Sequence, residues 1–312
     1  MYNFLAEVFV SQQKATFKYK TAYDTYYPGG KLPRTGEIFR QPNLARTMRA
    51  IAAADKAAFA SMKDRKAAIQ AGRDAFYKGD IARTIGAAME ADGGLMRYAD
   101  LAGYRGKVEA PLTANVFGYT ICKGGFWSQG PALLIALNIA EAAGIGAMEP
   151  GSELYLHTLA EAIKLAFDDR NAYFGDPDFA KVPGKALLSK AYAAQRAQQI
   201  GPKASLEHRY GDPWAMEGGQ RPTPIFTPHM LKKPPVPIAD TTAIEVVDRH
   251  GNLFSCTPSS GWMLGGAYIA GDTGVPMSNR MTVFDLDPES PNVLVPGKRP
   301  RTTLSPAMVL KD

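Results

Sequence analysis

The sequence DTTAIEVVDRHGN, residues 240–252, places two threonines at the mouth of a predicted β-hairpin. The apolar run over residues 243–247 predicts one strand, and residues 253–257 predict the next. The glycine and asparagine between them tolerate the positive φ angles that hairpin turns require. Helices are predicted before this stretch and strands after it, which favours stacked layers of helix and sheet.

Thr241 is a candidate nucleophile because chain cleavage could activate it. A cut between Asp240 and Thr241 would leave a free α-amine beside the Thr241 hydroxyl. An α-amine with a pKa of about 7.7–8.0 can accept the hydroxyl proton. Before the cut, the same hydroxyl could attack the Asp240 carbonyl in an N-to-O acyl shift. β-Branched residues also favour strands, so a purely structural role for the threonine pair stays open at this stage.

A proline-rich segment directly precedes the threonines. Residues 221–238 contain prolines at positions 222, 224, 228, 234, 235 and 237. Proline removes backbone donors and blocks both helices and inner strands, so we predict an exposed linker. This linker is either a simple connector between domains or a loop that must stay mobile until self-cleavage.

The remaining elements are predicted from apolar spacing and turn residues. Helices are expected to begin near residues 43, 64, 81, 132, 153 and 189. Short strands are expected over residues 108–112, 119–122 and 307–310, and the first 40 residues are expected to be irregular.

The composition is that of an ordinary folded chain, with 312 residues, 46% hydrophobic residues and a net charge of +6. Lysines and arginines are spread along the chain, which argues against a nucleic-acid-binding face. The two cysteines and four histidines show no metal-binding spacing, so we expect neither a zinc site nor a disulfide framework. No other metal and no organic cofactor is implied. No apolar run approaches the roughly 18 residues of a membrane helix, and the first residues lack the pattern of a signal peptide.

Two hydroxyls at the end of the second predicted strand are candidates to assist the nucleophile. Pairing across the hairpin turn would bring Thr257 and Ser259 back towards Thr241, where their hydroxyls could orient it. Ordinary hydroxyls at a sheet edge are the alternative interpretation.

The sequence KRPRTTLSP, residues 298–306, is a second dense group of polar residues. Thr302 and Thr303 follow a rigid basic turn and could hold a small carboxylate. Arg280 could bind the same carboxylate through two parallel N–H groups. A solvated basic loop and a lone surface arginine are the alternatives.

Several motifs together resemble the γ-glutamyltransferase family of N-terminal nucleophile (Ntn) hydrolases. Besides the 240–252 stretch, they are GEIFRQP (36–42), AFYKG (75–79), GGL (93–95), DL (100–101), DR (169–170), GDPDF (175–179), GKRP (297–300) and TTLSP (302–306). The resemblance runs from about residue 31 to the end of the chain.

The resemblance implies an α+β fold, a four-layer αββα sandwich. It also implies autocleavage before Thr241, with residues 1–240 in a large subunit and residues 241–312 at the start of a small subunit of the same precursor. The family transfers or hydrolyses γ-glutamyl groups, as in glutathione, through an ester on the threonine.

The resemblance also assigns roles to individual positions. Thr257 and Ser259 match hydroxyls that support the nucleophile, and Asn279 matches the second residue of a family Asn-Asn pair, with Ser278 in place of the first. Thr302 and Thr303 stand where the family has a Ser-Ser pair that binds the substrate carboxylate.

Two positions depart from the family pattern. Arg280 replaces a glutamine and Val283 replaces an acid, and those residues grip the α-amino group of the glutamyl unit in the family. A cation and an apolar side chain cannot do so. A related branch, with motifs similar to SGW (260–262) and PRTT (300–303), contains glutaryl-type cephalosporin acylases, whose acyl group has no α-amine. A non-catalytic remnant is a further alternative.

Chain length is the other departure. Family members continue past Asp312 into a Gly-Gly segment that supplies the oxyanion hole, and they carry an earlier section with a substrate-binding arginine. We therefore expect an incomplete sandwich, a fragment lacking both ends, and leave open whether it is active by itself. The family resemblance favours a periplasmic or extracellular location, and a cytoplasmic location stays open.

Overall fold

The computed structural model describes residues 1–16, 18–220, 241–261 and 264–311. The predicted linker at 221–238 and the predicted cleavage residue Asp240 lie outside these residues. The helices within the described residues are α1 (Asn3–Thr16), α2 (Lys20–Tyr26), α3 (Pro42–Met62), α4 (Arg65–Tyr77), α5 (Asp80–Ala91), α6 (Tyr98–Gly103), α7 (Gly130–Ala142), α8 (Glu153–Tyr173), α9 (Gly184–Leu187), α10 (Lys190–Ala197) and α11 (Trp214–Glu217). The strands are β1 (Leu112–Val116), β2 (Tyr119–Lys123), β3 (Ile244–Val247), β4 (Leu253–Cys256) and β5 (Ala307–Lys311).

The described residues form two compact units. The first unit contains residues 1–108 and 260–279, and the second contains residues 109–220, 241–259 and 280–311. In the described part of the chain, no helix combines the length and apolar character needed to cross a bilayer.

The expectation that the first 40 residues are irregular is wrong, because α1 and α2 occupy most of them. Val8, Gln12 and Thr16 are buried at a spacing of four residues, which is the spacing of one helix face. The Tyr27 hydroxyl, just after α2, donates to the Phe9 carbonyl. The apolar spacing in the sequence does not show this face, because two of its three buried positions, Gln12 and Thr16, are polar.

The helices predicted near residues 43, 64 and 81 are present as α3, α4 and α5. Asp64 caps α4 by accepting from the backbone N–H of Lys66 at 2.8 Å and of Ala67 at 3.3 Å. Helix α4 continues to Tyr77, and α5 begins three residues later at Asp80.

A three-stranded antiparallel sheet in the order β1-β2-β5 forms part of the second unit. The predicted strand at 108–112 is wrong, since β1 begins only at Leu112 and Val108 is fully exposed. Phe117 and Gly118 connect β1 to β2 with φ angles of 54° and 79°. Two successive positive φ angles give a type I′ turn, whose twist matches that of the flanking strands. Because the turn lies at residues 117–118, the strand before it begins four residues later than predicted.

Helices α7 and α8 supply most of the core of the second unit. Helix α8 has the predicted start, and Ser152 caps it by accepting from the Tyr155 N–H at 3.2 Å. Ile139 on α7 and Leu165 on α8 are completely buried in one apolar cluster. These helices give the second unit a rigid body beside its sheet.

The predicted hairpin at 243–257 is present as β3 and β4, which pair antiparallel with Val247 opposite Leu253. The Ser255 hydroxyl on β4 accepts from the Ala307 N–H at 3.2 Å, at the start of β5. The architecture of the described residues is therefore a mixture of helices and antiparallel strands, as the predicted α+β class requires.

Candidate functional site

The turn between β3 and β4 is stabilised by one carboxylate. Asp248 Oδ1 accepts from the backbone N–H of His250 at 2.8 Å and of Asn252 at 2.9 Å. Gly251 has a φ of 81°, which glycine adopts without a steric penalty. The turn therefore fixes the register of the hairpin and sets which residues face each other at its open end.

The open end of the hairpin brings Thr241 beside Ser259. The Thr242 N–H donates to the Pro258 carbonyl at 3.3 Å, which extends the pairing past the ends of β3 and β4. The Thr241 hydroxyl then donates to the Ser259 hydroxyl at 3.1 Å. Thr241 is exposed and Ser259 is half-buried. The predicted nucleophile is therefore accessible to solvent, whereas its hydrogen-bond partner is partly covered by protein.

Arg280 connects this pair of hydroxyls to the predicted carboxylate-binding loop. It begins a short 3₁₀ helix, Arg280–Val283. Its Nη2 donates to the Ser259 hydroxyl at 2.7 Å, and its Nη1 donates to the Thr303 hydroxyl at 2.6 Å. Burial lowers the pKa of the Arg280 guanidinium, yet the side chain keeps its charge because an arginine does not lose its proton in proteins. A fixed positive charge therefore lies one hydroxyl away from Thr241.

Thr302 and Thr303 play different parts in the structure. Thr302 is buried, and its hydroxyl accepts from the Leu304 N–H at 3.2 Å. Thr303 is exposed and accepts from Arg280. The hydroxyl of Thr302 is thus used to shape the loop, whereas the hydroxyl of Thr303 lies at the surface beside the guanidinium.

The start of α7 holds this loop in place. The Gln129 N–H donates to the Thr302 carbonyl at 2.8 Å, and the Thr302 N–H donates to the Trp127 carbonyl at 3.1 Å. The Gln129 side chain donates to the Thr303 carbonyl at 3.0 Å. Since α7 packs in the core, the position of Thr303 is set by the rigid body of the second unit.

Arg299 also holds the loop that carries Thr303, through contacts that were not predicted from the sequence. It binds Asp176 through Nη2 at 2.7 Å, through Nε at 3.1 Å and through its backbone N–H at 2.9 Å. Its Nη1 donates to Glu109 at 2.7 Å, and the guanidinium lies over the Trp127 ring. Hydrogen bonds with Asp176 raise the pKa of Arg299 above its ordinary value.

The same contacts change the titration of Asp176. Burial by itself raises the pKa of this carboxyl group, but the hydrogen bonds from Arg299 outweigh burial and hold the pKa below its ordinary value. Asp176 belongs to the motif GDPDF and Arg299 to the motif GKRP, and both motifs resemble the γ-glutamyltransferase family. Their direct pairing was not inferable, because Asp176 and Arg299 are 123 residues apart along the chain.

Thr257 and Asn279 are the remaining predicted site residues. Thr257 follows the last residue of β4 and is half-buried, and in the described residues the hydrogen bond from Thr241 goes to Ser259 rather than to Thr257. Asn279 belongs to the first unit, where its N–H donates to the Ser260 carbonyl at 3.1 Å. The roles of Thr257 and Asn279 stay predictions.

Metal binding by carboxylates, thiols or imidazoles finds no obvious location in the described ranges. Over residues 1–16, 18–220, 241–261 and 264–311, no three such side chains are grouped so that they could hold an ion. The polar groups at the site are instead hydroxyls and one guanidinium, which suit recognition of a carboxylate and activation of an alcohol.

Comparison with known proteins gives similarities over almost the whole chain. The family profile described as gamma-glutamyltranspeptidase matches residues 2–312. The glutathione hydrolase-like YwrD proenzyme of Bacillus subtilis is 35% identical over 92% of this chain and 47% of its own length. The acylase ACY 1 proenzyme of a Pseudomonas species is 33% identical over 91% of this chain and 44% of its own length.

A solved structure is similar in fold as well. The cephalosporin acylase from Bacillus halodurans superposes with a TM-score of 0.79 and 27% identity, over 100% of this chain and 51% of its own. The predicted α+β architecture of Ntn-hydrolase type is thereby confirmed. The chain spans about half the length of the relatives that it matches.

Proposed function

The chain belongs to the gamma-glutamyltranspeptidase family, and we propose that it carries the nucleophile and part of the acyl-binding site of an autoprocessed amidase. The reaction proposed is γ-glutamyl transfer or hydrolysis on glutathione-type amides, through an ester on Thr241. The observation that carries this proposal is the hydrogen bond of 3.1 Å between the Thr241 and Ser259 hydroxyls, with Arg280 bound to the second of them.

The first proposed step is maturation. The Thr241 hydroxyl attacks the Asp240 carbonyl, the peptide bond between the two residues breaks, and an ester forms. Water then hydrolyses this ester. Residues 1–240 become part of a large subunit with a new carboxyl end, and Thr241 becomes the first residue of a small subunit. Relatives named as proenzymes support this order of events.

The second proposed step is acyl transfer. The freed α-amine of Thr241 takes the proton of the Thr241 hydroxyl, and the oxygen attacks the acyl carbonyl of the substrate. The departing amine receives that proton, which leaves an acyl ester on Thr241. Water or an acceptor amine then attacks the ester and restores the hydroxyl. Ser259 orients the nucleophile in both steps, Thr257 is proposed to support it, and Asn279 is proposed to help bind the substrate.

The acyl carboxylate is proposed to bind between Arg280 and Thr303. An arginine binds carboxylates through parallel N–H groups, and an exposed hydroxyl beside it adds a further donor. Thr302 is also proposed to bind the acyl carboxylate, because its hydroxyl accepts from the Leu304 N–H and can still donate its own proton.

A second candidate function is favoured by two residues that depart from the family pattern. Arg280 is a cation, and Val283 is a half-buried apolar residue, so neither is suited to hold the α-ammonium group of a glutamyl unit. A glutaryl group has the same carboxylate without that ammonium. A glutaryl-type cephalosporin acylase is therefore the alternative activity, and a cephalosporin acylase is among the structures similar to this chain.

Two chromogenic amides distinguish these activities. The complete protein would be assayed with γ-glutamyl-p-nitroanilide and with glutaryl-p-nitroanilide, which differ only in the α-amino group. Faster turnover of the first supports γ-glutamyl transfer, and faster turnover of the second supports the acylase. Turnover of neither, together with an uncut chain, would leave a non-catalytic remnant and contradict the proposal. Thr241→Ala serves as the control for background hydrolysis.

A further inference from the structure

The Ser259 hydroxyl lies between a nucleophile and a cation. It accepts a hydrogen bond from Thr241 at 3.1 Å and another from Arg280 at 2.7 Å. A serine hydroxyl has two acceptor lone pairs and one proton, and that proton rotates to suit its surroundings. The same oxygen can therefore keep its bond to Arg280 while its proton changes direction.

We propose that Ser259 and Arg280 form a charge-polarised relay that stabilises the developing alkoxide of Thr241 during maturation. This inference rests on the proposed function, since it concerns the same nucleophile. It gives Arg280 a positioning role that is separate from binding an acyl carboxylate, because self-cleavage involves no substrate.

The relay works by reversing one hydrogen bond. In the uncut chain, Thr241 donates to Ser259. When Thr241 Oγ1 bonds to the Asp240 carbonyl carbon, the C–N bond breaks and the hydroxyl proton ends on the departing Thr241 nitrogen. While negative charge is on Oγ1, Ser259 turns its proton towards that oxygen. Arg280 still donates to Ser259, which makes the serine a stronger donor, and a hydrogen bond to an ionised acceptor is about twice as strong as a neutral one.

The environment of Arg280 supports this role because the guanidinium is held in place. Its Nη1 group donates to the Thr303 hydroxyl at 2.6 Å. The Thr303 carbonyl in turn accepts from the Gln129 side chain at 3.0 Å. A charge that is fixed before the reaction stabilises a transition state without reorganisation at the moment of reaction.

The test is the rate of self-cleavage of the complete precursor, produced by cell-free synthesis and followed by mass spectrometry. Arg280→Met removes the charge at similar length, Arg280→Lys keeps the charge, and Ser259→Ala removes the relay oxygen. Arg249→Met, in the exposed hairpin turn, is the matched control. Urea midpoints of uncut variants carrying Thr241→Ala check that each one folds.

We expect Arg280→Met to cleave roughly 30-fold to 100-fold more slowly, somewhat less than the roughly 10²–10³ for loss of a direct oxyanion donor. The cleavage rate of Arg280→Lys should stay within about tenfold of that of the unchanged protein, because an ammonium keeps the charge but lacks the paired N–H donors of a guanidinium. The double variant Ser259→Ala with Arg280→Met should be no slower than Ser259→Ala alone, because the two residues act in one path.

The pH profile separates this role from a structural one. Loss of the charge should move the rise of cleavage rate to higher pH in Arg280→Met, whereas a folding defect would lower the rate at every pH. Cleavage of Arg280→Met at the unchanged rate, or multiplicative slowing in the double variant, would overturn the relay. Failure of the unchanged protein to cleave at all would instead overturn the proposed function.

Discussion

Removal of the Arg299 side chain tests whether the loop that carries Thr303 is fixed by a buried ion pair. The Asp176 side chain is 1% exposed and the Arg299 side chain is 28% exposed. In Arg299→Met, Asp176 would lose the hydrogen bonds from Nε and Nη2 and keep those from the backbone N–H groups of residue 299 and Asp178. The carboxylate would then keep only the charge of Lys298 nearby, without a charged hydrogen-bond donor.

The expected cost follows from these contacts. Breaking a buried ion pair by removing one partner costs about 3–5 kcal/mol. Two backbone donors remain and Arg299 is partly exposed, so we expect the lower end, about 3 kcal/mol. With a denaturant slope of about 3 kcal/mol/M, the urea midpoint would fall by about 1 M. Arg249→Met, which removes an exposed arginine of the same unit, should leave the midpoint within about 0.2 M, the usual range for surface changes.

The pH dependence provides an independent check on the same pair. The pKa of Asp176 is lowered in the folded state, so the pair contributes stability above the unfolded pKa of about 3.9, and this contribution is lost as the pH falls through the lower folded pKa. The difference between the unchanged protein and Arg299→Met should therefore be full at pH 6–7 and shrink below about pH 4. An equal difference at pH 7 and pH 3, or no difference at pH 7, would refute the reasoning.

Three further changes test the fold and the acyl-binding loop. Gly175→Ala should destabilise the second unit strongly, because a Cβ atom there would lie 2.1 Å from the Pro291 carbonyl oxygen, whereas Gly201→Ala has open space and should be neutral by urea unfolding. Ser152→Ala should cost about 1 kcal/mol by loss of the α8 cap, and Ser152→Thr should restore most of it; equal midpoints would contradict the cap. Thr303→Val should raise KM for an amide with an acyl carboxylate at unchanged stability, whereas Thr302→Val should lower the urea midpoint; the reverse pattern would exclude the division of roles.

The sequence predicts those parts of the fold that depend on neighbouring residues. The hairpin of β3 and β4 and the start of α8 were predicted because turn residues and a capping serine act within a few positions. Helices α1 and α2 were missed because the polar Gln12 and Thr16 interrupt the buried face of α1 and because α2 has only 7 residues. Strand β1 was misplaced because a phenylalanine at positive φ gives no turn signal in the sequence.

The candidate site was only partly predictable for the same reason. The motifs identified Thr241, Ser259, Arg280 and Thr303, which the second unit brings into one chain of hydrogen bonds. Residue types alone could not show that the Thr302 hydroxyl is turned into the loop. Such contacts depend on tertiary packing, which no local pattern records.

The central claim is that Thr241 becomes a nucleophile with its own amine through cleavage of the preceding peptide bond. N-terminal sequencing of the complete protein after purification measures this directly. The account predicts two polypeptides, the second beginning with Thr241-Thr242, and a single uncut chain for Thr241→Ala. An uncut chain that still hydrolyses γ-glutamyl or glutaryl amides, or a second polypeptide with another first residue, would contradict it.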